Sequence, residues 1–437
     1  MTVRQHSVVL NSKLCKGCVN CIKHCPNQAI RIRNGKARII EDKCIDCGEC
    51  VRHCPHHAQV VLTDDLSELL NNEINIAIIS PTLIAQFPAD ADAEKIMQAF
   101  IDIGFSDVYD MAITHEYVAQ AKANYLLKAD NKRRPLISAH CPVVNRLIQI
   151  KFPEIMRQMM PILPVVEVAA IQARAQAAKR FQVEPDKVAV WHISSCPAMV
   201  TYAGKSNGLI NYVIAVSKVY GEVIRVLSKA VPTEKRYKGS SYGVGSGIAS
   251  GMTRSTGIGD ALVVDGIDEV FDALEQISMN KIPDVDFLEC SACARGCVGG
   301  VLNVANRLVG EKNVRKRSRA LSRYEPADRA AILTKSLSQE KFDLNPVNYE
   351  VVPATTSMKL DKNILTAMKK LQEIEKILTE LPGLDCGSCG APSCQSLAED
   401  IVQGNATADD CVFKFRTRVD ELAEGMLELS NKIKDKE

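Results

Sequence analysis

Eight cysteines in the first 54 residues constrain this chain more than any other feature. They fall as Cys15, Cys18, Cys21 and Cys25 before Pro26, then as Cys44, Cys47, Cys50 and Cys54 before Pro55, so C-x2-C-x2-C-x3-C-P occurs twice with a repeat of 29 residues. The chain as a whole holds 17 cysteines in 437 residues. An odd total fits a disulfide framework badly, and thiols this dense in a reducing compartment point to metal. The compartment is read from two absences. The N-terminus MTVRQHSVVLNSKLCKG lacks the apolar centre of a secretion signal, and no apolar run approaches the roughly 18 residues of a membrane span. A cytoplasmic protein without a membrane partner is expected. Its length predicts two to four domains, and a formal charge of +2 selects no class of partner.

Two metals compete for the cysteines. Structural zinc pairs two short C-x2-C clips, whereas three thiolates per clip with a crossed fourth ligand suit a cube of iron and sulfur. The run resembles that of bacterial ferredoxins, whose fourth cysteine ligates the other cluster. On that pattern Cys15, Cys18, Cys21 and Cys54 hold one 4Fe-4S cluster, and Cys44, Cys47, Cys50 and Cys25 a second, in an α+β ferredoxin-like domain over residues 1–63. Another group, Cys386, Cys389, Cys394 and Cys411, lies in LDCGSCGAPSCQSLAEDIVQGNATADDC. Glycines at 387 and 390 let backbone wrap closely around a cluster, and the helical SLAEDIVQG returns the chain to Cys411. This stretch resembles the small C-terminal 4Fe-4S domain of several redox and corrinoid proteins. A third 4Fe-4S cluster is expected in an α-helical domain over residues 361–411, with zinc as the alternative.

Five thiols remain: Cys141, Cys196, Cys290, Cys293 and Cys297. Residues 74–300 alternate apolar runs with helical patterns, which predicts an α/β core. INIAII (74–79), RPLIS (134–138), KVAVWHI (187–193), ALVVDG (261–266) and DVDFL (284–288) read as strands, and ADAEKIMQAFIDIG (91–104) and GIDEVFDALEQI (266–277) as amphipathic helices. Cys141, Cys196 and the trio from Cys290 to Cys297 each follow a strand by a few residues. Open α/β sheets bind ligands outside their carboxyl ends, so these loops are expected to converge, with buried free cysteine as the plainer alternative.

HCP around Cys141, SSCPAM around Cys196 and ECSACARGCVGG around Cys293 and Cys297 resemble the three signature segments of FeFe hydrogenases. The resemblance covers about residues 1–310, and the glycine-rich YGVGSGIASGM (242–252) is similar to a further family stretch. It implies an active-site domain over residues 74–337 in which Cys141, Cys196, Cys293 and Cys297 hold a 4Fe-4S cluster linked to a diiron subcluster. Cys297 is implied as the bridging ligand and Cys290 as no ligand.

This sequence also departs from the family pattern. His140 stands where catalytic members carry a second, proton-passing cysteine, and is read either as a proton-exchanging imidazole active near neutrality or as a hydrogen-bond partner of backbone. Glu116 matches the first relay carboxylate, but Ala119 occupies the place of the second, so the proton path is read as broken or rerouted. Met199 replaces a lysine that pairs with an iron cyanide, a loss worth roughly ten- to a hundred-fold in cofactor retention. Ser291 and Ser194 replace methionines. A retained diiron unit with altered potential and slow turnover is expected, which resembles the sensory branch of the family. Members of that branch often carry a regulatory module beyond the last cluster, here expected on a partner or outside this stretch of sequence.

Beyond Cys411 the apolar residues Val412, Phe415, Val419, Leu422, Met426, Leu429 and Ile433 are spaced alternately by 3 and 4. That is a heptad seam over residues 412–437, read either as a helix packed on its own protein or as a coil joining two protomers into a homodimer. Lys312, Arg315, Lys316, Arg317, Arg319 and Arg323 read as a solvated helix face, then as a dock for an acidic redox partner, and not as a nucleic-acid site. Residues 338–360 read as a linker before the helix LTAMKKLQEIEKIL.

Two functions are weighed. The first is an iron-sulfur oxidoreductase that splits or forms dihydrogen slowly and serves hydrogen or redox sensing, with dihydrogen, protons and a ferredoxin or signalling protein as partners. The second is a multi-cluster electron-transfer or iron-sulfur assembly protein without a diiron subcluster.

Overall fold

The computed structural model describes residues 6–129, 133–206, 208–282, 284–321, 360–361 and 363–434, with side chains to residue 431. These residues form two compact units, one drawn from Met1–Val8, Ile45–Gly48 and Val61–Ala354, the other from Val9–Cys44, Glu49–Val60 and Thr355–Glu437. The strands in chain order are β1 (Val8–Leu10), β2 (Ile30–Arg33), β3 (Lys36–Ile39), β4 (Gln59–Val61), β5 (Ile74–Ile79), β6 (Asp107–Asp110), β7 (Leu136–Ile137), β8 (Val188–Ser194), β9 (Tyr212–Ala215), β10 (Ala261–Asp265) and β11 (Phe287–Ser291).

The first unit holds two parallel sheets, ordered β6-β5-β8-β9 and β10-β11-β7. β5 and β8 are buried along their whole length, as expected of strands covered on both faces. Their side chains alternate: Ile74, Ile76, Ile78, Val188 and Val190 pack with helices Met111–Lys128 and Val165–Phe181, while Ala77, Ile79, Ala189, Trp191 and Ile193 pack with Ala93–Asp102 and Val216–Leu227. The second sheet lays Ile137, Leu288 and Cys290 against helices Pro142–Lys151 and Ile267–Ser278.

Two strand boundaries differ from expectation. β7 is only Leu136–Ile137, because Pro135 has no N–H to donate and the ladder begins with Leu136 N–H bonded to the Asp286 carbonyl at 2.9 Å. β11 begins at Phe287 and runs to Ser291, since Asp284 sits in the left-handed region at φ 58 and cannot extend the strand. Cys290 thus lies inside a strand. The basic helix Arg307–Ala320 exposes Lys312, Arg315, Lys316 and Arg319, but Arg317 is buried and donates to the Pro88 carbonyl at 2.7 Å, so the face is not wholly solvated; Arg323 lies outside the described residues. Most of the expected linker, residues 338–359, also lies outside them.

In the second unit the hairpin β2-β3 carries the C-terminal cysteine loop. Ile32 N–H bonds the Gly390 carbonyl at 2.7 Å, and a Cβ on Gly390 would meet Ile32 O at 2.2 Å, so only glycine permits this approach. Asp400, on helix Cys394–Val402, accepts from Arg31 at 2.7 Å and Arg33 at 2.8 Å, with Arg31 and Asp400 both buried. Helix Val412–Lys434 follows, and its seam residues Val412, Phe415, Val419, Leu422, Met426 and Leu429 are all exposed, against the reading in which it packs on its own protein. No helix of the described residues is long and apolar enough to cross a membrane.

Removing one partner of a buried ion pair strands the other charge, at a cost of about 3–5 kcal/mol. Asp400→Ala is therefore expected to lower the stability of the second unit by about that amount, seen as an earlier urea midpoint when unfolding is followed by the visible absorbance of its clusters.

Candidate active site and metal centres

Cys141, Cys196, Cys293 and Cys297 line a single cavity of about 110 Å³. Each arrives from a carboxyl strand end: Cys141 between β7 and helix Pro142–Lys151, Cys196 between β8 and helix Ala198–Ala203, and the last two after β11. The third loop is seated by close backbone contacts, since a Cβ on Gly300 would meet Ser195 O at 2.3 Å. Burial raises the thiols of Cys141 and Cys196, whereas Cys297 is exposed. The neighbouring thiols add to this, Cys141 and Cys297 on Cys196, and Cys141 on Cys297. Cys290 is fully buried within β11 and does not line the cavity.

The other residues singled out in the sequence divide. His140, Met199, Ser291 and Ser194 line the cavity; Glu116 does not, for it is buried with Oε1 accepting the Ser240 backbone N–H at 2.8 Å, and the adjacent His115 lines the cavity instead. His140 bridges two hydroxyls, with Nδ1 3.0 Å from Ser138 Oγ and Nε2 3.2 Å from Ser291 Oγ. Burial, with Lys122 and His115 nearby, pushes its pKa down to about 3, and its partners are side-chain hydroxyls rather than backbone. Ser194 Oγ is engaged by its own loop, at 3.0 Å from both Cys196 O and Cys196 N.

Sequence reasoning missed three groups. Burial lowers His115 to about 3 and His192 to about 4, and both line the cavity; His192 Nδ1 has no hydrogen-bond partner among the described residues. Lys122, on helix Met111–Lys128, is 1% exposed and donates to Ser138 Oγ at 2.9 Å. Burial lowers it to about 7 against the pull of Glu289. An ammonium thus reaches the cavity wall through Ser138 and His140. The only sequence signal was a lysine inside a helix whose neighbours are largely apolar.

In the second unit the charges of Cys18, Cys15 and Cys54 act on Cys21, which burial lifts to about 11, and those of Cys25, Cys44 and Cys21 act on Cys50. The charge partners of Cys21 thus fall within one of the two expected groups, while those of Cys50 come from both. The repeat is also visible in paired contacts: Ala29 N–H donates to Cys25 Sγ and Ala58 N–H to Cys54 Sγ, each at 3.2 Å. Cys47 lies in the Ile45–Gly48 segment of the first unit. At the C-terminal loop Cys389, Cys394 and Cys411 share one apolar cluster, and Cys386 and Cys411 act electrostatically on Cys389. Donor sets made of thiols alone, in groups of four, fit iron-sulfur clusters.

Parallel sheets with cysteine loops at their carboxyl ends, together with a doubled cysteine module, define an iron-sulfur oxidoreductase. The sequence model of the family described as Iron only hydrogenase large subunit, C-terminal domain, matches residues 73–218 and 198–301, more than half of the chain, and the chain belongs to that family. A 4Fe-4S dicluster domain matches residues 7–55 and an Fe-S cluster domain residues 381–413. Curated relatives match only in part. Over 71 residues the chain is 34% identical to an uncharacterized protein of Methanocaldococcus jannaschii, covering 16% of this chain and 32% of that one. Over 38 residues it is 47% identical to one component of an ion-translocating oxidoreductase complex of Rhodobacter capsulatus, covering 9% and 20%. The chain thus spans no more than a third of these relatives. Among solved structures, an FeFe-hydrogenase from a study of oxygen inactivation is 12% identical with a TM-score of 0.48, covering 63% of this chain and 93% of that chain. A Chlamydomonas reinhardtii FeFe-hydrogenase variant is 12% identical with a TM-score of 0.46, covering 62% and 93%.

Thiols held in the protonated form by burial must lose their protons to bind metal. Iron loading of the apoprotein is expected to release protons into a weakly buffered solution and to tighten as pH rises toward the raised thiol pKa values. Replacing Cys141, Cys196 and Cys297 together by alanine should reduce the protons released.

Proposed function

We propose that Cys141, Cys196, Cys293 and Cys297 hold a 4Fe-4S cluster linked through Cys297 to a diiron subcluster, and that the protein splits or forms dihydrogen slowly, in the service of hydrogen or redox sensing. The observation that carries this reading is the convergence of four thiols from three distant segments on one cavity. When bound, the diiron group supplies heterolytic cleavage of dihydrogen. The chain's own residues do the rest. The four thiolates fix the position of the group, while Pro164, Val165 and Val166 help to line the cavity beside them. The neutral His140 passes a proton by exchanging tautomers between Ser291 Oγ and Ser138 Oγ, without storing it. Lys122, lowered to about 7, holds the proton at the far end of this array. Electrons are exchanged with the clusters of the cysteine-rich module and of the C-terminal loop, and from there with a redox or signalling partner.

Slow turnover rests on Met199. A thioether stands where the family lysine would donate a charged hydrogen bond to the diiron group, and no cation replaces it among the described residues lining the cavity. That substitution also favours the second reading, in which the fold holds only cubane clusters and moves electrons. Infrared spectroscopy after maturation with a diiron precursor separates the two. Bands from iron-bound carbon monoxide and cyanide are expected, with slower hydrogen-deuterium exchange in a His140→Ala variant that keeps those bands; cubane iron without them leaves the electron-transfer reading.

The exposed heptad seam on Val412–Lys434 is read as the contact between two protomers. Sedimentation should give a dimer for residues 1–437 and a monomer for a chain ending at Cys411. An unchanged state of association would sink the idea.

A further inference from the structure

A cavity of about 370 Å³ opens between helices Ser241–Gly245, Gly251–Thr256 and Arg307–Ala320. Three guanidinium groups, Arg254, Arg315 and Arg319, line it together with Ser241, Ser318 and Tyr242, and no carboxylate among the described residues does. Its floor is fixed: Ser318 Oγ donates to the Ser241 carbonyl at 2.7 Å and lies 3.0 Å from Ser241 Oγ, with both serines buried. Arg315 is braced by Glu311 at 2.7 and 3.0 Å, whereas Arg319 has no hydrogen-bond or ion-pair partner among the described residues. A second cavity of about 470 Å³ shares Arg315 and Arg319 and adds Lys312 and Lys316, with Glu311 its one carboxylate among the described residues. The two hollows together gather five cations around one anion.

Like charges held this close repel unless an anion lies among them. Planar guanidinium forks match phosphoryl and carboxylate oxygens alike, but a single carboxylate offsets one charge where the excess here is several. A concave site of this volume takes a small molecule. We propose that the joined cavities bind a small polyphosphate, a molecule bearing two or more phosphoryl groups, with Arg254, Arg315 and Arg319 gripping it over the serine floor. The site is separate from the cysteine cavity, though one chain segment serves both: Ser241 and Tyr242 line the first, Ser246 and Gly247 the second. The proposal does not depend on the diiron reading.

The test is calorimetric titration of the full chain, clusters loaded, with inorganic pyrophosphate, with ATP and with adenosine. Pyrophosphate and ATP are expected to bind one per chain, more weakly as salt rises, and adenosine not at all. Tighter binding of ATP than of pyrophosphate identifies a nucleoside polyphosphate, and equal binding identifies the phosphoryl groups as the whole ligand. Arg254→Ala and Arg319→Ala should each weaken pyrophosphate by about tenfold or more. Arg307→Ala, on the same basic helix but lining neither cavity, should leave affinity unchanged, and unaltered cluster absorbance in all three variants shows that they fold. No binding of pyrophosphate or ATP at millimolar concentration, or equal weakening by Arg307→Ala, overturns the proposal.

Discussion

A thiolate has no place inside an α/β domain unless a cation meets it, and this chain brings four cysteines to the wall of one cavity. Burial raises Cys141 and Cys196, and the thiols of Cys141 and Cys297 further oppose the ionisation of Cys196. A metal cation held there would reverse that balance by supplying positive charge. The surrounding architecture serves this arrangement. The cysteine segments follow the carboxyl ends of parallel strands, and helices beginning at Pro142 and Ala198 anchor the chain just after Cys141 and Cys196.

The polar lining is equally set by burial. Burial lowers the pKa values of His115, His140 and His192, which line the cavity. The nearby ammonium is that of Lys122, set behind Ser138 and restrained by Glu289, which itself accepts from Thr253 N and Oγ1 at 2.7 Å.

The second unit solves a different problem, that of holding cysteine loops with little hydrophobic core of their own. The doubled run gains rigidity from backbone N–H bonds to sulfur at Cys25 and Cys54, and the C-terminal loop from the Asp400 pairs with Arg31 and Arg33. The Asp400 pairs join segments more than 350 residues apart in sequence.

Much of this was legible in the sequence, for a physical reason: where the relevant order is local, spacing reveals it. The cysteine runs, the buried strands INIAII and KVAVWHI and the heptad seam of the last helix are all patterns within a few turns or strand lengths. Local pattern failed at DVDFL, where the backbone of Asp284 blocks a strand, and at Lys122 and Arg317, which look like ordinary helix cations until packing removes them from water. His140 shows the limit most clearly, since its sequence neighbours identify its place beside Cys141, but burial and the nearby Lys122 and His115 lower its pKa. The amino-acid order by itself determined which donors the protein possesses and which secondary structures carry them. Only tertiary packing decided which donors meet, how the strands divide between two sheets and which ionisable groups stay neutral, because those outcomes depend on distances between remote segments and on the exclusion of water.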